Sequence, residues 1–293
     1  MVITEEKQKK HTKNYVVGLI GNPNSGKSTI FNTLTGARQK VGNYPGVTVE
    51  KKEGTFITAD DKKIHIVDLP GVYSLSAYSV EEIVSRDFII QEKPDIIVDV
   101  VDATNIERSL FLAVELKELG VPLIIALNMS DISDKMGHVY NLERMSALFG
   151  AKFVKTVGTK KDGIASLKKA IAEQIKNISD INQQIIRYHE DIEKEIETIS
   201  KTLNNPSFKE KYLSPRWMAV KLLCNDENVI FTVKSKMGSD ADLFLKSVEE
   251  IRNKIQHRYS VDSETLVAEG KYGFIKGILK ESAVFSLKEK LNV

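Results

Sequence analysis

The sequence predicts an α/β domain built on a mainly parallel sheet flanked by helices, followed by a smaller all-helical domain. Three observations lead there. Short apolar runs alternate with helix-period segments as far as Ile175, a glycine-rich loop joins the first run to the first helix, and from Asn177 the apolar residues fall at helical spacing. At 293 residues the chain exceeds the usual domain size of about 100–200 residues, which argues for two parts. The expected division is an N-terminal arm over 1–14, an α/β domain over 15–176 and a helical domain over 177–293.

In chain order, strands are expected at Tyr15–Ile20, Ile64–Val67, Ile96–Val101, Leu123–Leu127 and Lys152–Val157. Helices near Lys27–Thr35, Val80–Gln91, Ile106–Leu119, Leu142–Phe149 and Ile164–Ile175 supply the crossovers. Such a sheet binds its ligand at the carboxyl ends of its strands. In the second part, Ile192, Ile196, Ile199 and Leu203 mark one amphipathic helix, and Phe244, Val248, Ile251 and Ile255 another. Ser214-Pro215 reads as an N-cap with proline at the first helical position, while Asn204-Asn205-Pro206 and Met237-Gly238-Ser239 are breaks. Ser263–Leu291 is expected to be a long helix or a pair, interrupted near Gly270 or Gly273.

A hydrophobic fraction of 42% and a charged fraction of 28% are ordinary for a globular protein. The net charge of +2 gives no global footprint for nucleic acid, which argues against that partner. One cysteine, Cys224, excludes an intramolecular disulfide and reads as a small buried hydrophobe. The first residues lack the apolar stretch of a signal or anchor, and the apolar runs are strand-sized, so the chain itself is expected to be soluble. His65, His138 and His257 stand in unlike surroundings and read as core or solvated side chains.

The chemistry lies in five segments. Gly21–Ser28 (GNPNSGKS) matches GxxxxGK[ST] between a strand and a helix, the context in which loop amides cradle phosphates. Lys27 would neutralise β/γ charge, Ser28 would reach magnesium, and Asn22, Asn24, Ser25, Gly26 and Thr29 complete the cradle. Asp68-Leu69-Pro70-Gly71 follows a strand, where Asp68 can hold magnesium through water and the Gly71 amide can meet a γ-phosphate. Asn128-Met129-Ser130-Asp131 ends another strand, and the Asp131 carboxylate can accept from guanine N1–H and its exocyclic amine, a pair adenine lacks. Met129 stands where a lysine is usual and keeps an apolar stem for the base. The next strand ends in Val157-Gly158-Thr159, a place for backbone contact to the guanine oxygen. Val41–Glu50, with Gly46, Val47 and Thr48, suits a mobile switch loop in which Thr48 ligates magnesium only with a γ-phosphate present. In sum the sequence reads as a P-loop GTPase (Ras-like) sheet that binds GTP or GDP with Mg2+.

With GNPNSGKST, VGNYPGVTVEKKEG, DLPGVYSL, VDATNIERSL and NMSD in order, the chain resembles the cytosolic N-terminal region of the prokaryotic ferrous iron transporter, the FeoB family. The resemblance covers Tyr15–Ile175 continuously and the following helices more loosely. It implies a GTPase domain with catalytic contributions from Lys27, Thr48, Gly71 and Asn24, and a helical domain that slows GDP release. Val72 stands where Ras-type switches have a glutamine after DxxG. Resemblance to potassium-activated GTPases implies K+ held by Asn24, with backbone carbonyls near Asn43 and Tyr44. Lys271 departs from the arginine that the family commonly has before its tyrosine. As partners the resemblance implies guanine nucleotide, the membrane-spanning part of the same transporter, absent from this chain, and small accessory Feo proteins. It places the chain at the cytoplasmic face of the membrane and leaves homo-oligomerisation open. The alternatives are a soluble ribosome-assembly or RNA-modification GTPase with a basic appendage, and a nucleotide-binding module with negligible turnover.

Overall fold

The computed structural model describes residues 14–36, 39–76, 78–177, 185–208 and 213–285. The arm expected over 1–14 therefore lies, Asn14 apart, outside the described residues, as does the stretch 286–293.

The first part runs β1 (Tyr15–Gly21), α1 (Lys27–Thr35), β2 (Gln39–Asn43), β3 (Glu50–Ile57), β4 (Lys63–Asp68), α2 (Val80–Asp87), β5 (Ile96–Asp102), α3 (Ile106–Glu118), β6 (Leu123–Asn128), α4 (Ser130–Lys135), β7 (Val139–Tyr140), α5 (Leu142–Phe149), β8 (Lys152–Lys155) and α6 (Ile164–Lys176). A seven-stranded sheet has the order β2-β3-β4-β1-β5-β6-β8. β4, β1, β5, β6 and β8 are parallel, with Leu19 level with Asp68 and Asp102 level with Asn128. β3 and β2 extend the sheet antiparallel. This α/β architecture is the one expected, and it gathers the carboxyl ends of the parallel strands on one side.

Alternation along β1 assigns its residues to the two faces. Val17 and Leu19 join Ile30, Phe31 and Leu34 of α1 and Leu167 and Ile171 of α6. Ile20 faces the opposite layer, with Leu110, Ala113 and Leu116 of α3. That second core does not stop at the sheet. It continues into α7 (Glu190–Leu203), α8 (Pro215–Leu223), α9 (Glu227–Met237), α10 (Ala241–Tyr259) and α11 (Ser263–Ser282) through Ile192, Ile196, Ile199, Leu203, Trp217, Val248 and Ile275. Both amphipathic patterns bury as expected. Ser214 accepts from the Trp217 N–H at 3.1 Å, with Pro215 opening α8. Cys224, at the end of α8, is a free cysteine only partly buried.

Some elements differ from expectation. Gln39–Asn43 is an edge strand and Glu50 begins β3, so only the six residues from Tyr44 to Val49 form the connection within the stretch expected to be a loop. β2 is largely exposed and therefore carries no apolar alternation to betray it. α2 ends in a π-helical turn over Phe88–Glu92. β8 stops at Lys155, after which Val157 bridges back to Asp162. α11 is unbroken through Gly270 and Gly273. Gly270 is there for space: a Cβ would lie 2.5 Å from Cδ1 of Tyr188. After α11, β9 (Ala283–Val284) pairs with β7, an unforeseen two-stranded sheet.

Lys271, the departure noted in α11, is buried. Its ammonium lies 2.9 Å from Glu115 Oε1 and 3.1 Å from Glu118 Oε2, both on α3. Lys221 of α8 also reaches Glu115, at 3.2 Å, and Tyr188 donates to Glu118. The second oxygen of Glu115 accepts the Leu75 N–H at 2.6 Å. Burial by itself would raise the Glu115 carboxyl, yet Lys221 and Lys271 hold it far below the usual range.

Candidate functional site

β1 delivers the loop Gly21–Ser28 to the start of α1. Gly26, the N-cap, sits at φ 84°, and α1 has no side-chain cap, so its first amides remain for a ligand. Asn24 takes φ 66°, tightening the loop, and Ser25 N–H donates to Asn22 O at 3.1 Å. Among the described residues, Asn22 Oδ1 and Ser25 Oγ are buried without a hydrogen-bond partner. Lys27 Nζ lies 2.5 Å from Asp68 Oδ1 at the end of β4. Burial pushes the Asp68 carboxyl up, and Lys27 opposes it. Val72 N–H donates to Gly21 O at 3.2 Å, and Gly71 lies against Pro23, which a Cβ would meet at 3.5 Å. The segment Asp68–Gly71 is thereby laid on the loop.

From β6, Asn128 ties three segments together. Its Nδ2 donates to Ser25 O at 2.8 Å, while Oδ1 accepts the Gly158 N–H at 3.0 Å. Gly26 must be glycine for this as well as for its φ, since a Cβ there would lie 2.3 Å from Asn128 Nδ2. The Met129 side chain approaches the same point, with Cε 3.8 Å from that Cβ position. Gly158 is pressed on α1, where a side chain would meet Ile30 Cδ1 at 3.1 Å and Thr29 Cγ2 at 3.2 Å. Val157 is buried and Thr159 exposed.

Asp131, in the first turn of α4, is paired with Lys160 at 2.5 Å, and the Lys160 hydrogen bond lowers its carboxyl. Sequence reading did not single out Lys160, because one lysine in a polar turn carries no pattern. Ser28, Asn24, Gly46 and Thr48 are exposed, and Val47 is half-buried. Pro45-Gly46, with Gly46 at φ 76° and Val47 N–H donating to Tyr44 O at 3.3 Å, forms a turn of the type II pattern. Tyr44 was expected to matter only through its carbonyl. Its side chain is buried, and its hydroxyl donates to Asp68 O at 3.2 Å.

Chemically, free helix amides, an ammonium and the unpaired Ser25 hydroxyl can all donate to a polyphosphate. The hydroxyls of Ser28 and Thr48 and the carboxylate of Asp68 are hard oxygen donors, the kind magnesium takes. Among the described residues the histidines do not gather. His138 is buried beside Ser133 and Tyr140, whereas His65 lies 3.6 Å from Glu53 on the sheet.

The family described as Ferrous iron transport protein B matches residues 15–171, and the FeoB cytosolic helical domain matches residues 188–284. Among curated relatives, the Fe(2+) transporter FeoB of Methanocaldococcus jannaschii is 43% identical over 270 residues, covering 92% of this chain and 39% of its own length. A Porphyromonas gingivalis Fe(2+) transport protein A/Fe(2+) transporter FeoB fusion protein is 40% identical over 279 residues, covering 93% of this chain and 32% of the relative. The chain thus spans between about a third and two fifths of the length of these relatives. Among solved structures, an S. thermophilus NFeoB mutant bound to GDP superposes with a TM-score of 0.79 at 35% identity, covering 92% of this chain and 100% of the other. The cytosolic domain of the T. maritima FeoB iron transporter in its GMPPNP form gives a TM-score of 0.77 at 30% identity, covering 92% and 99%.

Proposed function

The chain belongs to the FeoB ferrous iron transport family, and on that premise we propose that it binds guanine nucleotide, hydrolyses GTP to GDP and phosphate, and serves as the cytosolic regulatory portion of a ferrous iron transporter. The observation that carries this reading is the three-way junction at Asn128, which bonds the phosphate loop at Ser25 and the Gly158 turn at once. It joins a phosphate-binding segment to a base-reading segment at one end of one sheet. The GDP and GMPPNP forms of the similar structures support the same ligand class.

In this reading the amides at the start of α1 and the Lys27 ammonium hold the phosphates, and Lys27 exchanges its partner Asp68 for them. Asn22, Ser25, Gly26 and Thr29 shape the cradle. Asp131 releases Lys160 and accepts the two guanine donors, Met129 lies along the base, and Val157, Gly158 and Thr159 form its outer wall. Ser28, Thr48 and Asp68 would hold magnesium, which when bound neutralises phosphate charge. The Gly71 amide faces the terminal phosphate, with Gly46 and Val47 letting the switch connection close. Val72 cannot orient water. Asn24 would hold potassium, a positive charge in the position an arginine finger takes. The functional division is 15–176 for nucleotide and 177–293 for restraining GDP release, at the cytoplasmic face of the membrane.

Calorimetry with GDP, GTP and ATP in magnesium tests the reading. Guanine nucleotides bind in preference, and Lys27→Ala weakens them sharply. Equal affinity for adenine nucleotides would overturn it. Phosphate release in potassium against sodium, with Asn24→Ala abolishing the difference, tests turnover and the cation together.

A further inference from the structure

The side chain of Tyr44 has no part in the scheme above, yet it is the buried anchor of an otherwise exposed connection. Pro45, Gly46 and Thr48 are exposed, whereas Tyr44 is 7% exposed and belongs to the core cluster containing Val67, Leu69 and Val72. Its ring carries the Lys51 ammonium 5.7 Å from the centroid. Its O–H donates to the backbone carbonyl of Asp68 at 3.2 Å. Two main-chain bonds close the connection on Tyr44 itself: Tyr44 N–H to Val49 O at 2.9 Å and Val47 N–H to Tyr44 O at 3.3 Å. Thr48 lies between Val47 and Val49, both fastened to Tyr44. The phenol therefore links the segment bearing Thr48 to the strand end bearing the Asp68 carboxylate.

We propose that Tyr44 is a positioning residue: through its hydroxyl on the Asp68 carbonyl it holds Thr48 and Asp68 in register as oxygen donors for the magnesium ion that accompanies a nucleoside triphosphate. The inference rests on the nucleotide reading given above. A phenylalanine would fill the same core space, so the ring alone does not account for a hydroxyl aimed at a main-chain carbonyl. Such a group, buried, is worth keeping only when it is bonded.

The test uses the whole chain and a non-hydrolysable GTP analogue, read by calorimetry across a magnesium titration, with GDP in chelator as reference. Tyr44→Phe weakens the analogue in magnesium about 2- to 10-fold, the scale of one hydrogen bond, and raises the half-saturating magnesium concentration. GDP in chelator binds as before, because the phosphate loop is untouched. In a Thr48→Ala background, Tyr44→Phe has a smaller effect than in the parent, since both residues bear on the one magnesium site. Equal loss of analogue and GDP, or losses that add in the double variant, would reduce Tyr44 to a packing residue and overturn the proposal. An unchanged magnesium profile would do the same. If the parent chain binds neither GDP nor the analogue, the nucleotide reading itself falls and takes this inference with it.

Discussion

Replacing Lys271 with methionine tests the buried charge cluster directly. The ammonium is 3% exposed as a residue and lies between two carboxylates, 2.9 Å from Glu115 and 3.1 Å from Glu118. Removing one partner of a buried pair costs about 3–5 kcal/mol, because the remaining charge is left in a medium that cannot solvate it. Glu115 keeps Lys221 at 3.2 Å and the Leu75 N–H at 2.6 Å, and Glu118 keeps Tyr188. The lower end therefore applies, about 3 kcal/mol. For a protein of this size about 1 kcal/mol moves Tm by roughly 1.5–2 °C, so Lys271→Met lowers Tm by roughly 5–6 °C at neutral pH. Circular dichroism melts measure it. The pH dependence follows from the Glu115 carboxyl, which is depressed in the fold below its ordinary 4.5. Its stabilisation is complete above 4.5 and fades as pH falls toward the folded value, so the gap between parent and variant narrows on acidification. A fall in Tm of under about 2 °C would refute the reasoning, since a substitution away from any buried network costs no more than about 0.5 kcal/mol.

Asp99, in β5, is 1% exposed and, among the described residues, neither carboxylate oxygen has a hydrogen-bond partner. Burial raises its carboxyl well above 3.8, so it costs stability increasingly as pH rises past 3.8; Asp99→Val should gain on the order of 1–3 kcal/mol at pH 7.5 in urea titrations, less near pH 4, and a net loss at pH 7.5 would contradict it. Gly270→Ala separates two accounts of that glycine. A steric role predicts a loss of about 1–3 kcal/mol against Tyr188, whereas a mere weak point in α11 predicts a gain of about 1 kcal/mol. Asp131→Asn exchanges a carboxylate for an amide, and competition binding should show guanosine diphosphate weakened about 10- to 100-fold and xanthosine diphosphate strengthened; retained guanine preference would remove Asp131 from base reading.

The parallel strands were legible because they are buried on both faces and read as near-continuous apolar runs, as Leu123–Leu127 does. β2 was not, because an edge strand is held by backbone pairing and leaves Lys40, Val41 and Gly42 exposed. The short pairing of Val139–Tyr140 with Ala283–Val284 joins residues far apart in sequence, and two-residue strands have no periodicity to detect. Within the candidate site, the glycines and the invariant geometry of a phosphate loop can be read from spacing, so Gly21–Ser28 stood out. What escaped were side chains whose meaning depends on a distant partner. Lys271 reads as a surface lysine until Glu115 and Glu118 are brought beside it. Tyr44 reads as a loop aromatic until its hydroxyl meets Asp68, and Lys160 as one charge among many until it meets Asp131.

One apolar layer serves both the sheet and the helices α7–α11, with Ile20, Leu116, Ile196 and Ile275 in a single cluster. Among the described residues that cluster passes from one part to the other without a break. Swinging them open like a hinge would wet that layer and strip Glu115 of its cations, whereas small slides of helix on helix would keep both covered. Heating should accordingly give a single melting transition by calorimetry, with the helices and the sheet lost together.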